Sequence, residues 1–286
     1  MFRYPPAALA LGAIALWTSV AALAVSLKSV PPFLLVGAPM LIAGAAASPT
    51  WRSWRVPPAT LAIGVYGLFG FHLLLFTALR LAPPVEANLI NYLWPLLIVV
   101  LAPLLLPQER LAARHVIGAL LGFAGAALVI TGGRWTLSIQ HWAGYLLALG
   151  AAIVWSTYSL LTKRVRPFAT AAVGLFCLVS GVLALTCHAL LEPRYAPSAS
   201  EWLRIGLLAL GPLGFAYFLW DAALKRGDAK AIGALSYLTP LGSTLVLVAS
   251  GQGTLTSTVA LAALLIVGGA ALGSWPRRRR GGPATS

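Results

Sequence analysis

The chain has 286 residues, 59% of them hydrophobic and only 9% charged, with a mean hydropathy of +0.88 and a net charge of +14. No stretch long enough for a water-soluble domain lacks an apolar run, which excludes a soluble fold and indicates an all-α integral membrane protein. The positive charge sits in small groups at the ends of apolar runs, so the partner it suggests is the lipid bilayer, and no nucleic acid is expected.

Runs of membrane-crossing length predict ten transmembrane helices, near 5–27, 32–48, 58–80, 84–105, 112–131, 142–163, 168–191, 202–224, 229–249 and 256–275. The first resembles a signal peptide but is too long and leads straight into further spans, so it reads as uncleaved. The second, from Phe33 to Ala47, is short and contains Pro39, and its ends are the least defined. With the N-terminus inside, fifteen of the twenty Lys and Arg fall in cytoplasmic segments, which places both termini in the cytoplasm. The closing run WPRRRR then reads as a membrane-surface anchor. Sixteen arginines against four lysines, with abundant alanine, hint at a GC-rich bacterial genome and hence a multi-pass protein of the bacterial inner membrane.

The fourth span holds the most informative stretch, EANLINYLWPL from Glu86 to Leu96. Asn88, Asn91, Tyr92 and Pro95 recur at i, i+3, i+4 and i+7, one stripe of a helix, with Trp94 beside it. Amides and hydroxyls at membrane depth turn into the bundle, where they bond to a neighbouring helix or line a cavity. For the stripe as a whole a cavity is the reading adopted, with Pro95 bending the helix and freeing a backbone carbonyl. Glu86, in the first turn after Pro83-Pro84, suits the helix dipole and reads as structural.

A shift of 145 residues superposes Arg80 on Lys225 and Tyr92-Leu93-x-Pro95-Leu96 on Tyr237-Leu238-x-Pro240-Leu241. The stripe then has a twin in Gly233, Ser236, Tyr237 and Pro240. Earlier in each half, Trp17-Thr18-Ser19 parallels Trp155-Ser156-Thr157, followed by Pro32-Phe33 and Pro167-Phe168 respectively. The chain therefore divides into five-helix halves, 1–135 and 136–286, within a single transport domain. An odd number of spans per repeat inverts the second copy, and inverted pairs place a shared site near the midplane with Pro95 and Pro240 as hinges.

His72 aligns with Tyr217 under the same shift, and Tyr217, Trp220 and Asp221 share one helix face. Asp221 is the one carboxylate well inside a predicted span, four residues before Lys225; an i,i+4 ion pair is the plainer reading, and contact with substrate or a coupled proton the alternative. Trp155, Tyr158, Ser159 and Thr162 form a further stripe on the sixth span, facing Trp17 of the first. Gly118, Gly122 and Gly125, with Gly269 and Gly273, read as small-residue packing faces. Cys177 and Cys187 lie ten residues apart on one helix, too far for a disulfide. No metal-ligand spacing or cofactor motif occurs, so neither metal nor cofactor is expected. A monomer is expected, with a dimer left open.

NYLWP at 91–95, GFAYFLWD at 214–221 and ALSYLTPL at 234–241, on ten spans in two halves, resemble the drug/metabolite transporter superfamily (EamA-like), most closely its YddG-type exporters of aromatic and other amino acids. The resemblance covers nearly the whole chain. It implies export by alternating access through a cavity built from spans 1, 3, 4, 6, 8 and 9, with Tyr92, Trp94, Trp155 and Tyr237 as cavity residues. Asp221 departs from the asparagine expected there, and Asn88 stands where a small residue is common. The residues restrict the substrate independently. No Lys or Arg lies deep in a span, which argues against phosphorylated cargo, and no acid lies in the first span, which argues against proton-coupled multidrug export. A neutral or zwitterionic amino acid fits best, with a nucleobase or other small metabolite as the alternative. An enzyme would need a convergent catalytic set, and none of His72, Asp221 and Glu86 supplies one.

Overall fold

The computed structural model describes residues 4–20, 23, 26–134, 138–251 and 254–274; Arg3 and the basic run at 275–280 lie outside them. Among these residues all regular structure is helical. Eight helices are long and apolar enough to cross a bilayer, and two shorter apolar ones accompany them. In chain order they are α1 (Pro6–Thr18), α2 (Pro32–Ala46), α3 (Pro58–Leu81), α4 (Pro84–Leu105), α5 (Ala113–Thr131), α6 (Ile139–Arg164), α7 (Thr170–Leu191), α8 (Ala199–Arg226), α9 (Ala229–Ala249) and α10 (Ser257–Ser274). Leu104, Leu190 and Leu264 expose 70, 76 and 73% of their surface on the outside of the bundle, as suits side chains facing hydrocarbon.

The first four helices share one start signal. Each begins on the second residue of a Pro-Pro pair, at Pro6, Pro32, Pro58 and Pro84, and the pairs recur every 26 residues. The first proline is extended, with φ near −57° and ψ between 135° and 149°, as a residue before proline prefers. The second sits at the helix start, where its missing N–H costs nothing. Elsewhere side chains cap. Ser198 and Glu201 form a capping box at the start of α8, and the Asp228 carboxylate accepts from the amides of Lys230 and Ala231 at the start of α9.

The run expected over 5–27 is interrupted after Thr18. There the hydroxyls of Thr18 and Ser19 donate to the carbonyls of Ala15 and Leu16, both at 2.7 Å, competing with the helical ladder. The bends expected at Pro95 and Pro240 lie slightly earlier, and as breaks. The α4 helix opens at Tyr92 and Leu93, between Pro84–Asn91 and Trp94–Leu105, and α9 opens at Ser236 and Tyr237, between Ala229–Leu235 and Leu238–Ala249. A proline ring collides with the carbonyl four residues back, so the ladder parts in the preceding turn and the proline enters the first turn of the restarted helix. The α3 helix contains a π turn at Tyr66–Gly70. The α8 helix is broken between Ala199–Leu210 and Phe215–Arg226. Gly214 is required in that break, because a Cβ there would run into the Ala209 carbonyl oxygen.

The most extensive packing pairs are α5 with α10, α2 with α7, α3 with α6 and α4 with α6, followed by α1 with α8. The first uses the glycine faces: a Cβ on Gly118 would lie 2.6 Å from the Gly269 carbonyl oxygen, so the backbones touch where no larger side chain fits. That pairing lies within one chain.

Candidate functional site

Seven helices, α1, α2, α3, α4, α6, α8 and α9, enclose a cavity of about 450 Å³. Trp17 of α1, Trp94 of α4 and Trp155 of α6 line it and lie edge-on to one another, with ring centroids 5.9 to 6.4 Å apart. Trp220 of α8 backs this group, tilted 5.2 Å from Trp17 and stacked 6.3 Å from Trp155, and is only 1% exposed. Four indoles from four helices thus make one apolar floor, in the offset and edge-to-face arrangements that aromatic quadrupoles favour. The Trp17 indole N–H donates to the Pro212 carbonyl at 3.1 Å, which satisfies a group freed by the break in α8.

His72 and Tyr217 meet across the cavity wall. The His72 Nδ1 lies 2.7 Å from the Leu68 carbonyl, so it carries the proton, and Nε2 faces the Tyr217 hydroxyl at a long 3.5 Å. Asn88, Asn91 and Tyr92 complete the expected lining residues, and Pro84, Leu79 and Leu35 carry the wall toward the end of the bundle where α3 joins α4. No Lys, Arg, Asp or Glu is among the described lining residues.

The structure places the other sequence-nominated positions behind that wall. Tyr158, Ser159, Trp220, Ser236 and Tyr237 are all buried and do not line the cavity. The Ser159 hydroxyl accepts from the Trp220 indole N–H at 3.1 Å, and Ser236 donates to the Ile232 carbonyl at 2.9 Å. The Tyr237 hydroxyl reaches across to α4 and accepts the Leu96 N–H at 3.1 Å. That N–H lost its intrahelical partner at the break, so Tyr237 caps the restarted helix. Pro95 and Pro240 are likewise buried in the first turns of their restarted helices. Conversely, Phe71, Leu75, Phe76 and Leu79 of α3, Leu208 and Leu213 of α8 and Thr239 of α9 line the cavity without having been nominated. An apolar residue facing a cavity looks the same in sequence as one facing a neighbour, and only their shared face with His72 pointed to the α3 group.

Beyond the indole floor, the end of the bundle carrying the α4–α5, α6–α7 and α8–α9 connections is tied by ion pairs. Asp221, 1% exposed, accepts from Thr170 and from Lys225, each at 2.6 Å, while the Lys225 ammonium also donates to the Phe168 carbonyl and lies 3.4 Å from the centre of its ring. Glu109 pairs with both Lys163, at 3.1 Å, and Lys230, and Lys163 also donates to the Gly227 carbonyl at 2.7 Å. At the opposite end Arg80 pairs with Glu192 and lies over the Phe33 ring at 5.4 Å.

Residues 5–131 and, separately, 142–275 match the model of the EamA-like transporter family. The chain is 42% identical, over 93% of its length and 96% of the relative's, to an aromatic amino acid exporter YddG of Ancylobacter novellus. A protein of that name from Escherichia coli K12 is 28% identical over 69% of each chain. A protein solved by crystallography superposes with a TM-score of 0.90 at 41% identity, covering 94% of this chain and 98% of that one. Two matches to one family model and near-complete alignment with a relative of similar length leave no large part of the molecule outside the kinship, and the chain is a member of the EamA-like transporter family.

Proposed function

We propose that the protein exports neutral amino acids, aromatic ones above all, across the bacterial inner membrane by alternating access. The observation that carries this reading is the cavity: about 450 Å³, within the roughly 300–1,000 Å³ of small-molecule sites, walled by Trp17, Trp94, Trp155, Phe71 and Tyr92 and with no charged residue among the described lining residues. Such a wall stacks an aromatic side chain and gives a phosphate nothing to pair with. The name of the Ancylobacter novellus relative points the same way.

The halves 1–135 and 136–286 act as an inverted pair. Supporting this, the breaks in α4 and α9 correspond to within one residue under the 145-residue shift, and the π turn of α3 at Tyr66–Gly70 corresponds to the break in α8; His72 meets Tyr217, its partner under that shift. The helix packing has the same symmetry, since α3 on α6 becomes α8 on α1 when the halves are exchanged. With both termini cytoplasmic, as the distribution of Lys and Arg indicates, the cavity faces outward and the ion-paired end is the closed cytoplasmic side. Transport then requires that end to open while the Arg80 end closes, with the breaks in α4 and α9 and their prolines Pro95 and Pro240 absorbing the motion.

Flux of radiolabelled tryptophan, phenylalanine and threonine from proteoliposomes, with and without a proton gradient, tests the reading. Saturable flux of the aromatic pair is expected. Flux without a gradient makes Asp221 structural, gradient dependence makes it the coupling group, and no flux of any of the three removes the amino-acid reading in favour of another small metabolite.

A further inference from the structure

Two side-chain oxygens in the cavity wall are buried without a hydrogen-bond partner among the described residues: the carboxamide Oδ1 of Asn91 and the hydroxyl Oγ1 of Thr239. The residues are 5% and 7% exposed, and a buried polar group left unpaired costs roughly 1–3 kcal/mol. Two other polar wall groups contrast with them, since Trp17 bonds to Pro212 and His72 to Leu68 and Tyr217.

Neither residue behaves as packing glue. An interhelical asparagine would spend its oxygen on a neighbouring helix, and Asn91 does not. A threonine in a helix usually donates to the carbonyl four residues back, as Thr77, Thr131, Thr186 and Thr244 all do here at 2.7 to 3.0 Å. Thr239 makes no such bond, because Leu235 lies across the break at Ser236 and Tyr237. Asn91 ends the first segment of α4 and Thr239 lies in the first turn of the second segment of α9, so the two breaks bring one unpaired polar group from each half to the same cavity. Rotating the Asn91 amide about χ2 or Thr239 about χ1 exchanges which polar or methyl atom each presents to it.

We propose that Asn91 and Thr239 form the polar anchor for the part common to all amino acids, Asn91 Oδ1 accepting from the α-ammonium and the Thr239 hydroxyl donating to the α-carboxylate, while the indole wall selects the side chain. This rests on the amino-acid reading above. It explains how a cavity without charged groups holds a zwitterion, since hydrogen bonds to charged groups are the strong ones. It also separates affinity for the amino-acid head, set by these two residues, from choice among amino acids, set by Trp17, Trp94 and Trp155.

The test is inhibition of phenylalanine counterflow in proteoliposomes by tryptophan, by tryptamine, which lacks the carboxylate, and by indole-3-propionate, which lacks the amine. The wild type is expected to favour tryptophan over either analogue by about ten-fold or more. Asn91→Leu should lose the preference over indole-3-propionate, and Thr239→Val the preference over tryptamine. Thr239→Ser and Asn91→Asp, which keep a donor and an acceptor respectively, should retain these preferences even if the apolar variants fail to fold. Variants that transport phenylalanine with both preferences intact, or a wild type that does not discriminate, would overturn the anchor while leaving the amino-acid reading standing. A wild type that moves no amino acid would remove both.

Discussion

Trp155 touches every other member of the indole floor and also Tyr217 at 5.8 Å and Phe71 at 5.3 Å. Replacing it by alanine removes one wall and opens the floor, so flux should fall at least ten-fold while membrane insertion is unchanged; Tyr92→Ala should act similarly through the wall alone. Normal flux in both, measured in proteoliposomes against equal amounts of reconstituted protein, would move the site elsewhere. Asp221 belongs to a different class, because its carboxylate is held by Lys225 and Thr170 behind the floor. Asp221→Leu strands the Lys225 ammonium in a partly buried site and should lower the unfolding temperature in detergent, whatever it does to flux. Sequence spacing placed Trp155, Tyr158 and Ser159 on one stripe, yet Trp155 lines the cavity while the other two lie behind it. A stripe specifies an angle around the helix axis, and burial depends on which neighbour covers that angle.

At the scale of elements, the breaks in α4 and α9 both lie beside the cavity, which Asn91, Tyr92 and Thr239 line. The breaks in α4 and α9 fall one turn before Pro95 and Pro240, so Pro95→Ala and Pro240→Ala should let the ladder close through Leu93 or Tyr237 and stiffen the proposed hinges. Turnover should fall more than KM changes, and a pure change in KM would count against hinges there. Gly214→Ala forces the α8 break apart and should destabilise by about 1–3 kcal/mol, read as a lower midpoint in thermal unfolding. The cap of α9 adds a pH dependence. Burial alone would raise the Asp228 carboxyl, but Lys230 and the amides of Lys230 and Ala231 together hold it below the usual carboxylate range. Its contribution is therefore complete above that range and lost as the pH falls through the lowered value. Asp228→Asn, which can still cap, should flatten the acid side of a profile of unfolding temperature against pH.

For the whole molecule, the two ends are held by different contacts. At the end sealed by the floor, Glu109 joins the α4–α5 connection to Lys163 at the end of α6 and Lys230 at the start of α9, and so ties the first half to the second. The position related to Glu109 by the 145-residue shift is Thr254, an exposed residue. On the alternating-access proposal, this arrangement favours the state with the cavity open toward the Arg80 end. Glu109→Gln should shift the population toward the opposite state, seen as longer distances between spin labels on the α4–α5 and α8–α9 connections. Unchanged distances would show that the indole floor alone holds that end shut.

Several features were legible in the chain because they depend on local chemistry. Apolar runs set the membrane class through the transfer of side chains to hydrocarbon, Pro83-Pro84 marked a helix start through fixed φ and a missing N–H, and the paired Pro95 and Pro240 marked two of the helices that break. The glycine faces of α5 and α10 were legible for the same reason, since only glycine lets backbones touch. What only the tertiary structure decided is the use made of equivalent positions. Tyr92 and Tyr237 stand in closely similar local sequence, each directly after an Asn or Ser and three residues before a proline. Yet Tyr92 faces the cavity, and Tyr237 crosses to the other half to cap the Leu96 amide. The physical reason is that a side chain's partners are set by the helices packed around it and not by its own local sequence, so similar motifs acquire different partners once the helices have packed.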